Sequence, residues 1–204
     1  LPGIGRWQIQ STSPRGELKS AEFSPDGKLL AYGDGTGQVR ICDAMTLKLV
    51  DFAPPHSDKV EYVTWSPDGN WLASLGGKVV HVWHTSENTL RQIPNVGDKA
   101  TIAWAPDSSQ FAIPASGAIE IWTPLGERRF AIRSKVRSHL CWSPDGKWLA
   151  GGSHEVGIDL WQAPDLTRAV SIDTEIWAPM PSLETRQPAV RGHASGRTDS
   201  DLEY

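Results

Sequence analysis

One turn motif that returns four times constrains this chain more than any other feature. Ser24, Pro25, Asp26 and Gly27 recur as Ser66, Pro67, Asp68 and Gly69, as Ala105, Pro106, Asp107 and Ser108, and as Ser143, Pro144, Asp145 and Gly146. The spacings are 42, 39 and 38 residues, and an aromatic residue (Phe23, Trp65, Trp104 or Trp142) precedes each copy. Proline presets φ for a tight turn, aspartate bonds back to the backbone, and glycine accepts positive φ. A period of about forty residues is the mark of a repeat architecture, in which each unit buries its faces only against its neighbours.

The segments between the turns read as short strands. Each turn is followed by an apolar pair (Leu30 and Ala31, Leu72 and Ala73, Phe111 and Ala112, Leu149 and Ala150) and then by a glycine-containing turn. A third strand of β-formers follows at 39–43, 80–84, 119–123 and 158–162, with Cys42, Trp83, Trp122 or Trp161 at its fourth position. A weaker, more polar fourth strand at about 47–50, 90–93, 129–133 and 168–172 suits an outer edge. Each unit is therefore expected to be a four-stranded antiparallel meander. The 10 Trp among 204 residues, against 4 Phe and 3 Tyr, fit periodic placement of indoles, and 19 Gly with 15 Pro fit many tight turns.

These features resemble the WD40 repeat family of β-propellers over about residues 17–172, with TolB-like propeller repeats as a weaker alternative. The resemblance implies an all-β propeller of four-stranded antiparallel blades, about four of them present here. The units fall at about 17–55, 56–94, 95–133 and 134–172. Within the family pattern, unit two keeps His56, Ser74 and Trp83 but has Lys78 near the expected aspartate. Unit four keeps Trp161 and offers Glu155 at that position, while unit one keeps Asp43 but has Cys42 in place of tryptophan. No unit carries the whole polar tetrad of the family, so packing is expected to hold the blades more than polar networks do.

Residues 1–16, with 7–10 extended, are expected to supply the last strand of a preceding blade or a closing strand. Residues 173–204, rich in Pro, Ser and charge, read as a mostly disordered tail. A start at Leu1 and only four units suggest a piece of a larger propeller; a four-bladed ring and closure by a second copy are the alternatives.

No catalytic constellation emerges from the sequence. His81 and His84 alternate to opposite strand faces and cannot share one ion. The repeated aspartates are explained as turn formers, and neither a nucleophile elbow nor a phosphate loop is present. No cofactor or metal is expected. The formal charge of −4 gives no global attraction for nucleic acid, and no apolar run is long enough to span a bilayer. A soluble chain is expected, with the cytoplasm favoured.

Function is therefore expected in loops. By the family resemblance, the chain is a non-catalytic scaffold binding proteins or peptides through the loops that join strand four to strand one and strand two to strand three. The candidate residues are Lys59, Glu61, Tyr62, Lys99, Arg137 and His139 entering the units, and Lys78, His154 and Glu155 in the second-to-third-strand turns. Tyr62 and Arg137 are the strongest anchors by residue type. A channel-based enzyme or ligand-binding domain is the alternative, for which the inner strands offer Glu61 and His139. A second alternative is nucleic-acid binding through the basic stripe of Arg128, Arg129, Arg133, Lys135 and Arg137, where a solvated outer strand is the plainer explanation.

Overall fold

The computed structural model describes residues 16–172, apart from positions 95, 98, 99, 116, 135, 137, 138 and 154–156. These residues lie in a unit spanning Leu1–Thr174, and a second unit, Glu175–Tyr204, falls outside the described residues. The expected strand at 7–10 and the expected tail at 173–204 are therefore also outside them.

Among the described residues, sixteen strands make four sheets, each a meander of consecutive strands. Blade 1 contains β1 (Ser20–Phe23), β2 (Leu29–Gly33), β3 (Val39–Asp43) and β4 (Leu49–Ala53). Blade 2 contains β5 (Val60–Trp65), β6 (Trp71–Gly76), β7 (Val79–His84) and β8 (Thr89–Pro94). Blade 3 contains β9 (Ala103–Trp104), β10 (Phe111–Ala115), β11 (Ala118–Trp122) and β12 (Arg128–Arg133), and blade 4 contains β13 (His139–Trp142), β14 (Trp148–Ser153), β15 (Gly157–Gln162) and β16 (Thr167–Ile172). All neighbouring strands run antiparallel, and the architecture is that of β-propeller blades.

The repeated turn does the local work assigned to it. In blade 1 the Ser24 hydroxyl donates to Asp26 Oδ1 at 2.7 Å and accepts the Leu29 N–H at 2.9 Å. Ser66 and Ser143 do the same with Asp68 and Asp145, accepting from the N–H groups of Trp71 and Trp148. The fourth turn residue needs the left-handed region, at φ 71° for Gly27, 75° for Gly69 and 69° for Gly146. Blade 3 places Ser108 there at φ 59°, and its hydroxyl accepts the Asp68 N–H of the preceding blade at 3.0 Å. The serine that breaks the glycine pattern thus ties two blades together.

Alternation along the strands gives every blade two apolar faces, here called front and rear, and the core lies between the rear of one blade and the front of the next. Ala31, Val39, Ile41 and Ala53 of blade 1 pack on Val60, Val63, Trp65, Leu72 and Trp83 of blade 2. Ala73, Leu75, Val80, Val82 and Ile93 of blade 2 meet Ile102, Trp104, Phe111 and Ile113 in the same way. Ala112, Ile119 and Ile121 of blade 3 meet Leu140, Leu149 and Trp161. Each large apolar side chain buried in this way contributes about 1.5–3 kcal/mol. Further hydrogen bonds between blades come from β1 and from the segment before β9: Ser20 Oγ accepts the Val63 N–H at 3.1 Å, Glu22 Oε2 accepts the Trp65 N–H at 2.5 Å, and Thr101 Oγ1 accepts the Leu140 N–H at 3.0 Å.

The expectation that packing outweighs polar networks holds only in part. The Nε1 atoms of Trp104, Trp142 and Trp161 are buried without a hydrogen-bond partner among the described residues, so these indoles act by packing. Two buried polar clusters nevertheless lie at the strand-two to strand-three ends of blades 1 and 2, and they frame the candidate site.

Candidate functional site

The loop entering blade 2 and the turn between β6 and β7 lie at the same end of the blade, because both are reached by leaving an even-numbered strand. Lys19, Asp58, Lys59, Glu61, Leu75, Gly77 and Lys78 line a groove of about 370 Å³ there. Lys59, Glu61 and Lys78, three of the sequence candidates, thus line one groove. Lys59 Nζ lies 2.7 Å from Glu61 Oε1, and Lys19 Nζ lies 2.9 Å from Glu17 Oε2. The Glu61 carboxylate raises the pKa of Lys59, which stays cationic. Lys78 sits at φ 66°, a conformation uncommon outside glycine, so the turn holds its side chain in a fixed direction.

A buried histidine pair supports the floor of this end. His56 Nε2 lies 2.8 Å from Ser74 Oγ, and the His56 ring stacks on His81 at 3.8 Å between centroids. His81 Nδ1 faces the Pro54 carbonyl at 3.3 Å, so that nitrogen donates and Nε2, 3.1 Å from the Gln92 amide, accepts. His81 is therefore neutral. Burial, with a contribution from His81, pushes the pKa of His56 down to about 3, and burial also lowers that of His81.

In blade 1 the corresponding end is built on Asp34, which the sequence reading passed over. Its carboxylate is buried at 0% exposure and pairs with Arg40 Nη1, whose side chain is 2% exposed. Asp34 Oδ1 also accepts the Thr36 N–H at 2.9 Å, the Thr36 hydroxyl at 2.6 Å and the Gln38 N–H at 3.2 Å. Burial alone would raise its pKa; the hydrogen bonds from Thr36, Arg40 and Gln38 prevail and hold it at about 2. A lone arginine inside the Val39–Asp43 strand was the available signal, since a charge among β-formers calls for a buried partner.

The remaining candidates are dispersed. Tyr62 is on β5 rather than in a loop and packs, half-buried, against the core between blades 2 and 3; burial raises its pKa. His139 opens β13 and is exposed. Lys99, Arg137, His154 and Glu155 lie outside the described residues. Of the basic stripe, Arg128, Arg129 and Arg133 are exposed on β12, with Arg128 3.0 Å from Glu120 Oε1 and Arg129 3.0 Å from Gln110 Oε1. Lys135 is outside the described residues along with Arg137, so the extended half of the stripe is not described. A second groove of about 390 Å³, lined by the Pro-Asp turns of blades 3 and 4 and Trp142, contains none of the sequence candidates.

Among the described residues, no group of three His, Cys, Asp or Glu side chains could hold a metal ion, and no helix is long and apolar enough to cross a membrane.

Two family models match the chain. One describes the anaphase-promoting complex subunit 4 WD40 domain, over residues 5–68, and the other the WD domain, G-beta repeat, over residues 133–155. Both models describe WD40 repeats, and the repeats of this chain are similar to them. Among curated relatives, the transcriptional corepressor LEUNIG_HOMOLOG of Arabidopsis thaliana is 28% identical over 76% of this chain and 21% of its own. An uncharacterized WD repeat-containing protein of Synechocystis sp. is 32% identical over 52% of this chain and 31% of its own. Echinoderm microtubule-associated protein-like 2 of Mus musculus is 29% identical over 64% and 21%. The chain thus spans about a fifth to a third of the length of these relatives. A chain from the crystal structure of the mitotic checkpoint complex matches with a TM-score of 0.61 at 23% identity, over 72% of this chain and 49% of that one, which supports the fold.

Proposed function

We propose that this WD40 chain is a non-catalytic platform that binds a partner protein at the groove between the loop entering blade 2 and the β6–β7 turn. The observation carrying this reading is the convergence of Lys19, Asp58, Lys59, Glu61 and Lys78 on one groove at one end of the blades. Both signs of charge line it, so it suits a mixed-charge protein segment better than a polyanion. The buried His56–Ser74 contact ties the loop entering blade 2 to β6, so that loop is presented with little ordering cost on binding. WD40 relatives such as those above generally serve as interaction scaffolds, which supports the class of function but not the choice of groove.

The test begins with proteins that co-purify with the chain, each then remade in pure form and titrated against it by calorimetry. A partner that loses at least tenfold in affinity to a Lys59→Glu, Lys78→Glu double variant of unchanged melting temperature supports the reading. Partners indifferent to those substitutions place function elsewhere. Steep salt dependence with a nucleic acid, abolished by Arg129→Ala and Arg133→Ala, would favour the basic strand instead.

A further inference from the structure

The four Pro-Asp turns lie at one end of the blades, opposite the end that carries the Lys59 and Lys78 groove, because each joins an odd-numbered strand to the next even-numbered one. They come close to one another across the blade junctions: a Cβ at Gly69 would sit 3.7 Å from Pro25 Cδ, and one at Gly146 would sit 3.8 Å from Pro106 Cδ. The chain thus contains three versions of one junction, which differ in their side chains.

Two of the three are bridged. Between blades 1 and 2, Glu22 Oε2 accepts the Trp65 N–H at 2.5 Å and the Glu22 carbonyl accepts from Trp65 Nε1 at 3.3 Å. Between blades 2 and 3, Ser108 fills the fourth turn position and its hydroxyl accepts the Asp68 N–H at 3.0 Å. At the junction of blades 3 and 4 both side chains are replaced by small ones. Ala103 stands where blade 1 has Glu22, and Gly146 stands where blade 3 has Ser108. Ala105 also replaces the serine that engages the aspartate in the other three turns. The space left is the groove of about 390 Å³, where the partly buried Trp142 with Pro106 and Pro144 supplies apolar wall, and Asp107 and Asp145 supply negative charge.

The two carboxylates are held differently. Asp145 accepts from the Ser143 hydroxyl at 2.6 Å and lies 3.3 Å from Lys147 Nζ, an exposed pair of little strength. Asp107 has no turn serine before it. Among the described residues its oxygens accept only from the Ser109 N–H at 3.1 Å and the Ser109 hydroxyl at 2.9 Å, and no basic side chain pairs with it. Arg129 touches the lining too, donating to Gln110 Oε1 at 3.0 Å.

We infer that this groove docks an arginine side chain of a partner protein, its guanidinium paired with the Asp107 carboxylate and laid against the Trp142 ring between the two prolines. Charge complementarity selects the occupant: an anion meets two carboxylates, and a purely apolar segment would cover Asp107 without giving it a partner. Arginine fits better than lysine because its planar fork matches a carboxylate and its flat face stacks on an indole. This docking point stands apart from the groove at the other end of the blades and does not depend on the use proposed for that one.

The probe is N-acetyl-arginine N-methylamide, titrated into the full chain with isotope-labelled indole nitrogens and followed at the Trp142 resonance, which Trp142→Phe assigns. The expected result is a saturable shift at Trp142. The citrulline analogue, similar in shape but uncharged, should bind at least about fivefold more weakly, and Asp107→Asn should cost a similar factor. Asp26→Asn, the same turn aspartate at a bridged junction, should leave the titration unchanged. Gly146→Ser tests the geometry: Ser108 already occupies this turn position at φ 59°, close to the 69° of Gly146, so a serine there should bridge to the Asp107 N–H, close the groove and abolish the shift without lowering the melting temperature. Should that variant fail to fold, Asp107→Asn, at an exposed position, decides by itself. An absent or non-saturating shift overturns the inference, as does equal binding of the citrulline analogue or binding that survives Asp107→Asn. An equal response to N-acetyl-proline N-methylamide would mean an apolar, proline-type occupant and overturns it too.

Discussion

Removing the carboxylate of Asp34 tests whether a buried polar cluster is integral to blade 1. Asp34→Ala removes the carboxylate paired with the Arg40 guanidinium, 2% exposed, and deletes the acceptor of three hydrogen bonds from Thr36 and Gln38. Breaking one side of a buried ion pair costs about 3–5 kcal/mol, because the remaining charge stays desolvated. Protonating the same carboxylate should cost less, since the acid still accepts hydrogen bonds. With a pKa of about 2 in the folded chain and 3.8 as the ordinary value, the linked stability is about 2 kcal/mol. The group is depressed on folding, so this stability is present above pH 3.8 and is lost as pH falls toward 2. Urea unfolding followed by tryptophan fluorescence measures both quantities. The double replacement Asp34→Leu with Arg40→Met should recover most of the loss, because a packed apolar pair is often as stable as the ion pair it replaces. A loss below about 1 kcal/mol for Asp34→Ala, the range of an exposed pair, would refute the reasoning.

Three further outcomes follow from the same geometry. His56 is held neutral with a pKa of about 3 against an ordinary 6.5, so the unfolded chain binds its proton first and stability should fall as pH drops below 6.5, by about 3 kcal/mol at pH 4. His56→Gln should flatten that part of a melting-temperature profile, and an unchanged slope would remove His56 as its source. Gly76→Ala would place a Cβ 2.7 Å from His56 Cγ and 2.9 Å from its Nδ1, an overpacking that should cost about 1–3 kcal/mol in urea unfolding; a neutral result would mean that the ring can move. Cys42, 3% exposed, should react with thiol reagents only at the rate of unfolding, and a native-state rate comparable to a free thiol would show that blade 1 opens locally.

The residues that were legible in the sequence are those whose role is settled within a few positions. The Ser-Pro-Asp-Gly turns and the third strand at 39–43 appear where spacing put them, because turn chemistry and period-two alternation are local. Lys59 and Lys78 could be named from loop positions and Glu61, on β5, from its place at the entry to the second unit, although their meeting in one groove depends on how β5 and β6 pair. Asp34 was not legible as a site because its partner Arg40 is reached only when β2 and β3 fold together. The position of Tyr62 was not legible for a related reason: it lies on β5 and packs against the core that blade 3 covers.

Repetition and turn chemistry in the sequence alone determined four antiparallel meanders and which side chains alternate to each face. Tertiary structure decided which of those equivalent faces are covered. Ile119 and Ile158 occupy the same place in their units and carry the same side chain, yet one is 0% and the other 42% exposed. Burial depends on what packs across the face, which local pattern does not encode.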